Sequence, residues 1–196
     1  TTAEGISQEI FVVHHDLKEK LLTELLKKYT GTVLLFARTK RRTSKITRFI
    51  RTAGHTVGEM HSDRSLGQRR EALDGFKSGK YRILAATDIA ARGIDVNGIE
   101  LVINYDLPDD PENYVHRIGR TGRAGQVGHA ISLATPDQQS DVHSIEKIIR
   151  TTIPVSEHPA LPKGAFYAAR NATAVRAHQK GYQGSHSYYH ARRKRR

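Results

Sequence analysis

The stretch QEIFVVHHDLKEKLLTELLKKYTGTVLLF, residues 8–36, decides the fold. Its first six residues, QEIFVV, are aliphatic and β-branched enough to read as a strand. Leu17, Leu21, Leu22, Leu25 and Leu26 then recur at the spacing of one helix face, and Gly31 ends that helix before the apolar run at residues 33–36. Strand, helix and strand in that order make one unit of a parallel α/β sheet.

Outward from this unit the pattern repeats. A helix is predicted over residues 43–53, a strand near 56–60, a helix near 66–76 and a strand at 82–86. Two more apolar runs follow at 101–105 and 129–133, and a last helix covers 137–150, with Pro136 at its start and Pro154 beyond its end. Six strands separated by helices predict an α/β fold, an open, mostly parallel sheet with helices on both faces. Ligands of such sheets gather beyond the carboxyl ends of the strands. Polar residues collect there: Thr39 after the second strand, His61-Ser62-Asp63 after the third, Thr87-Asp88 after the fourth and Asp106 after the fifth.

The 196 residues suffice for one ordinary domain and some further sequence. Without cysteine there is neither a disulfide framework nor a thiolate metal site. No apolar run approaches the roughly 18 residues of a membrane span, and TTAEGISQEI lacks the pattern of a signal peptide. The expectation is a soluble, cytoplasmic protein with no membrane partner. Thirty-two Lys and Arg against 20 acids give a formal charge of +12, which points to a polyanionic partner. From Val155 onward there are nine basic residues and one acid, Glu157, so this end holds +8 of the total. After Pro154 the sequence turns to Pro, Gly, His, Tyr and Arg without periodicity, placing a domain boundary at 155, with 156–196 a basic, flexible tail. That composition suits a solvated end as well as it suits a nucleic-acid arm.

Two segments carry chemistry. In HRIGRTGR, residues 116–123, three arginines fall at steps of three with Gly119 and Gly122 between them. Guanidinium forks match phosphate oxygens, and an arginine aimed at a transferring phosphoryl group stabilises its transition state. The plainer reading is a solvated basic turn. In TDIAARGID, residues 87–95, a threonine hydroxyl follows a strand, Gly93 lets the backbone approach a ligand, and Asp95 is suited to accept from ribose hydroxyls. A capped turn with an Arg92–Asp95 pair explains that segment equally well.

Together these strings resemble motifs V and VI of superfamily 2 helicases, and specifically of the DEAD-box ATP-dependent RNA helicases. HRIGRTGR discriminates, because related groups keep its GR-x-GR core but begin it differently. VLLFARTK, residues 33–40, resembles motif IV, and His61-Ser62-Asp63 through Arg69 resembles the element after it. NYDLPDDPENYVHRIGRTGR is similar to bacterial members, and ARTK with AATDIAARG to the RhlE-like subgroup. The resemblance covers residues 10–150 and implies the second, C-terminal RecA-like domain of a two-domain helicase.

Carried over residue by residue, it implies that Arg120 and Arg123 reach the terminal phosphates of ATP, Arg123 as the arginine finger, and that His116 couples the two halves of the catalytic site. Asp95, with Gly93 beside it, would contact the nucleoside. Thr39, Ser62, Arg69, Thr87 and Arg92 would touch the RNA sugar-phosphate backbone with little sequence preference. Arg117 receives no role. Ser62 stands where the family has glycine and Leu66 where it often has glutamine, so backbone approach at Ser62 is altered and a polar contact near Leu66 is missing. No G-x-x-x-x-G-K-[ST] string and no DEAD string is present, and GFKSGKY at Gly75 has the wrong spacing. The resemblance therefore assigns the ATP phosphates and Mg2+ to an N-terminal RecA-like domain and makes the chain alone inactive as an ATPase. The alternative is a stand-alone RNA-binding module working through its tail. If the tail is an RNA arm, deleting residues 159–196 lowers the salt slope of RNA binding by about 0.7 per lost contact on single strands; unchanged affinity and slope would remove it from the binding surface.

Overall fold

The computed structural model describes residues 5–96, 98–122 and 127–167. Interior strands of a parallel sheet are covered by helices above and below, so both their faces must be apolar. Strand β2, Val33–Phe36 (VLLF), has every residue buried and lies inside the sheet. The other strands are β1 (Ile6–Val12), β3 (Val57–Met60), β4 (Ile83–Ala86), β5 (Leu101–Asn104), β6 (Gly128–Ala134) and β7 (Val155–Ser156). They stand in the order β3-β4-β2-β5-β6-β1-β7, and every pairing described is parallel.

Alternation along the strands divides the core. Val33 and Leu35 face one side, packing with Leu21, Leu22, Leu25 and Leu26 of α1 (Lys18–Lys28) and with Ile46 and Ile50 of α2 (Lys40–Thr52). Leu34 and Phe36 face the other side, with Ala72 and Phe76 of α3 (Leu66–Lys77) and Ala91 of the short α4 (Asp88–Ala91). Farther along that side, Tyr114 and Ile118 of α5 (Glu112–Ile118) and Val142, Ile145 and Ile149 of α6 (Gln139–Ile149) cover β1 and β6. Each fully buried leucine of α1 contributes about 1.5–3 kcal/mol over an exposed one.

Helix starts are fixed chemically. Extended Thr39 accepts the Arg42 amide at the head of α2. Ser65 and Gln68 form a reciprocal capping box on α3, so the glutamine two places beyond Leu66 serves the helix end. GFKSGKY lies at the end of α3, where the Ser78 and Gly79 amides return to the carbonyls of Asp74 and Phe76. Among the described residues only Arg150, past α6, takes a positive φ without being glycine. Ser62 therefore occupies the family's glycine position with ordinary backbone geometry.

The chain departs from expectation at its end. Beyond the six predicted strands, β7 adds itself to β1 through Ile10↔Val155, two residues too few to leave an alternating pattern. The compact body runs to Phe166, not to 155. Ile153 is buried, and Leu161 and Phe166 pack against the core, because a few apolar side chains in an otherwise Pro- and Gly-rich segment find the sheet's flanks. A deletion that tests the tail alone thus begins at Ala168, and residues 168–196, with Tyr182, Tyr188 and Tyr189, lie outside the described residues. Ile153→Ala is expected to lower the unfolding free energy by about 2–4 kcal/mol and half-buried Phe166→Ala by about 1 kcal/mol in urea titrations. An unchanged midpoint for Phe166→Ala would end the body before it.

Candidate functional site

Strand β4 delivers Thr87, which begins α4, and α4 hands on to Arg92 in extended conformation. Gly93 then turns at φ +81, a region where a side chain is strained, and Ile94 is buried as an anchor. Strand β5 delivers Asp106, and α5 returns across the same edge carrying His116 and Arg117.

Arg117 ties these pieces together. It is 1% exposed, and its Nε and Nη2 donate to the two carboxylate oxygens of Asp88 at 2.5 and 2.7 Å. Its Nη1 donates to the Asp106 carbonyl at 2.7 Å and to Asn104 Oδ1 at 3.2 Å, and its guanidinium lies 5.0 Å from the Phe36 ring centroid. One side chain thus links the ends of β2, β4 and β5. Of the three guanidiniums at steps of three, Arg117 is not presented, because burial and a bidentate carboxylate have already satisfied it.

Arg120, one turn on, bends the other way. Its Nη1 donates to the carbonyl of Ile94 and its Nε to that of His116, so the end of α5 is held against the Gly93 turn. The result is a cleft of about 230 Å³ lined by Arg92, Gly93, His116, Arg117 and Arg120, with Asp88 the one acidic lining residue. Asp95 is exposed two residues past Gly93. Thr121 is buried, its hydroxyl bonded to the Ile99 carbonyl, and Gly122 turns at φ +66. Arg123 lies outside the described residues.

The predicted RNA contacts stand on three adjacent strands. Thr39 is exposed at the head of α2, Thr87 is half-buried after β4, and Ser62 is exposed after β3. The Ser62 turn is held from beneath by Glu59, a buried carboxylate that accepts from Ser44, from His61 Nε2 at 2.6 Å and from Arg64. Burial pushes the Glu59 carboxyl up, but these hydrogen bonds outweigh it and hold the group below its ordinary value. Arg69, in the first turns of α3, has a buried Nε without a hydrogen-bond partner among the described residues.

Asp106 is not a ligand-facing group. It takes the backbone amide of Arg38 at 3.1 Å, Arg42 Nε at 3.4 Å and the buried Lys18 ammonium at 3.5 Å. Burial pushes Lys18 down from its ordinary pKa while Asp106 draws it back. His15, lowered by burial and by the neighbouring charges of Arg42 and Lys18, accepts from Arg42 at 3.0 Å. No helix of the described residues is long and apolar enough to cross a membrane, and no group of three or more His, Asp or Glu among them is placed to hold a metal ion.

A parallel sheet in this order, with two arginine-bearing segments locked together at its carboxyl edge, defines a RecA-like domain of the helicase type. The profile of the helicase conserved C-terminal domain matches residues 17–125. The chain is 40% identical over 161 residues to the DEAD-box ATP-dependent RNA helicase CshA of Geobacillus kaustophilus, covering 82% of this chain and 34% of that one. It is 42% identical over 158 residues to the ATP-dependent RNA helicase RhlB of Photorhabdus laumondii, covering 80% and 37%. The structure of the E. coli DEAD-box protein SrmB bound to regulator of ribonuclease activity A superposes with a TM-score of 0.73 at 30% identity, over 83% of this chain and 96% of that one. The chain belongs to the helicase conserved C-terminal domain family, in its DEAD-box group. It spans about a third of the length of the curated relatives it matches. The RhlE-like placement rests on the sequence strings alone.

Removing Arg117 would leave the Asp88 carboxylate without its partner beside a buried void. Arg117→Ala is expected to cost about 3 kcal/mol in chemical denaturation, and Arg117→Lys to recover less than half, since an ammonium makes no bidentate fork. A variant as stable as wild type would show that the lock does not hold the edge.

Proposed function

We propose that the chain works as the C-terminal half of an ATP-driven RNA helicase, supplying cationic groups to the nucleotide and half of the RNA-binding edge. The observation that carries this reading is the cleft itself, where Arg117 on Asp88 brings the Arg92-Gly93 turn against His116 and Arg120. Arg120 and Arg123 face the terminal phosphates and His116 couples the halves, while Asp95 and Gly93 meet the nucleoside. Thr39, Ser62, Arg69, Thr87 and Arg92 hold the RNA backbone along the ends of β3, β4 and β2. Contacts of this kind position a strand without reading its bases. The proposed place of action is the cytoplasm.

The residues present fit the nucleotide's phosphates and not its metal. Arg120 lines the cleft, whereas Asp88, its one carboxylate, is taken by Arg117 on both oxygens. Mg2+ suits oxygen ligands that are free to coordinate it, so its ligands belong to the N-terminal RecA-like domain that the reading requires as partner. ATP supplies the phosphoryl group whose transfer to water drives the cycle. This chain's own share is to bind, orient and neutralise charge that develops on the phosphates.

Steady-state ATPase measurements test this. The chain alone should not turn over ATP. Joined to an N-terminal RecA-like domain bearing the phosphate loop, it should show RNA-stimulated turnover. Arg123→Ala should lower that turnover about 10³-fold, the range of arginine fingers, with an unchanged circular dichroism spectrum. Near-normal turnover in the variant would take Arg123 off the catalytic surface, and robust ATPase by the chain alone would overturn the half-site reading. RNA affinity in the joined protein that ignores ATP would favour the stand-alone module.

A further inference from the structure

Helix α2 reads KRRTSKITRFIRT, six basic residues and no acid in 13 positions. Thr43, Ile46, Thr47 and Ile50 form its buried side. Arg42 turns inward to Asp106 and His15. The others stay outside. Arg41, Lys45 and Arg48 follow at i, i+4 and i+7, which is one stripe of a helix. With Lys40 and Ser44 they line a shallow groove of about 300 Å³ against Asp63.

Local acids neutralise this stripe only in part. Asp63 pairs with Lys40 at 2.7 Å and half-buried Glu19 with Lys45 at 3.0 Å. Arg41 and Arg48 are exposed and have no ion pair among the described residues. Like charges at these spacings repel by a few tenths of a kcal/mol per pair, a cost that a bound anion removes. The stripe also starts beside Thr39, the N-cap of α2, and runs away from the carboxyl edge of the sheet.

We infer that the outer face of α2 is a second contact for the RNA sugar-phosphate backbone, carrying the strand onward from Thr39. The inference rests on the proposed RNA role of the sheet edge. The seven steps from Arg41 to Arg48 span about 10 Å at 1.5 Å rise. Arginine forks match phosphate oxygens bidentately. An acidic protein segment fits less well, because protein interfaces are built around apolar and aromatic cores, and the exposed positions of this face are Lys, Arg and Thr.

The test is equilibrium binding of two oligouridines to the 196-residue chain across a salt series. One has about three nucleotides, comparable in length with three strand ends spaced ~4.8 Å apart; the other has about fifteen, enough to add phosphates beyond the edge. Relative to wild type, the Arg41→Ala/Arg48→Ala double variant should bind the short RNA unchanged. With the long RNA its salt slope should fall by about 1.4, two contacts at ~0.7 each. Both positions are exposed, so circular dichroism should not change. An unaltered slope with the long RNA overturns the inference, as would unaltered RNA slopes alongside lost binding of polyglutamate, which would assign the face to an acidic protein. Failure of the edge reading is separate, showing itself as an Arg92→Ala variant that binds the short RNA like wild type.

Discussion

The bidentate pair between Arg117 and Asp88 is the interaction on which the functional edge depends. Loops at the carboxyl end of this sheet keep only a few backbone bonds, such as the Thr87 amide to the Met60 carbonyl, and otherwise depend on their side chains. Here a guanidinium from α5 reaches across to the first residue of α4, the end of β5 and the ring of Phe36. A charge so buried is stable only when it is paired and hydrogen-bonded, and all three guanidinium nitrogens of Arg117 are bonded. The geometry of the cleft is therefore a by-product of satisfying one buried cation.

The same economy appears at the ends of β2 and β3. Asp106 gathers Lys18, Arg42 and the Arg38 amide, which fixes the turn between β2 and Thr39. Glu59 gathers Ser44, His61 and Arg64, which fixes the turn bearing Ser62. Asp106 and Glu59 work beneath the surface as anchors, while Thr39 and Ser62 stay exposed.

Much of this was legible in the sequence, and the parts that were not have physical reasons. The leucine spacing of α1 and the VLLF run announced the helix and strand because each obeys a single periodicity, and the observed bounds differ by a residue or two. The two-residue β7 and the anchoring of Leu161 and Phe166 depend on tertiary contact and leave no periodic trace. At the site, Thr39, Ser62, Thr87, Arg92, Gly93, His116 and Arg120 fall on one edge because residue type and strand end coincide in the sequence. Arg117 sits in the same string as Arg120 with an identical side chain, and nothing local tells which one is buried. Glu59, an acid within a buried four-residue strand, was the signal that a polar network lay beneath the Ser62 turn. Lys18 gave no such sign, standing at the start of an amphipathic helix where lysines ordinarily face water.

Strand β1, the first in the described chain, sits between β6 and β7, the last two, and Ser7 bonds across to Gly128 over a separation of 121 residues. Closing a loop of that length costs entropy that only the finished pairing returns. β1 therefore gains neighbours only from the far end of the described chain, whereas β2 to β5 are contiguous both in sequence and in the sheet. α5 and the HRIGR turn lie just before β6 in the chain, so the segment that closes the cleft is next in sequence to the strand that pairs with β1.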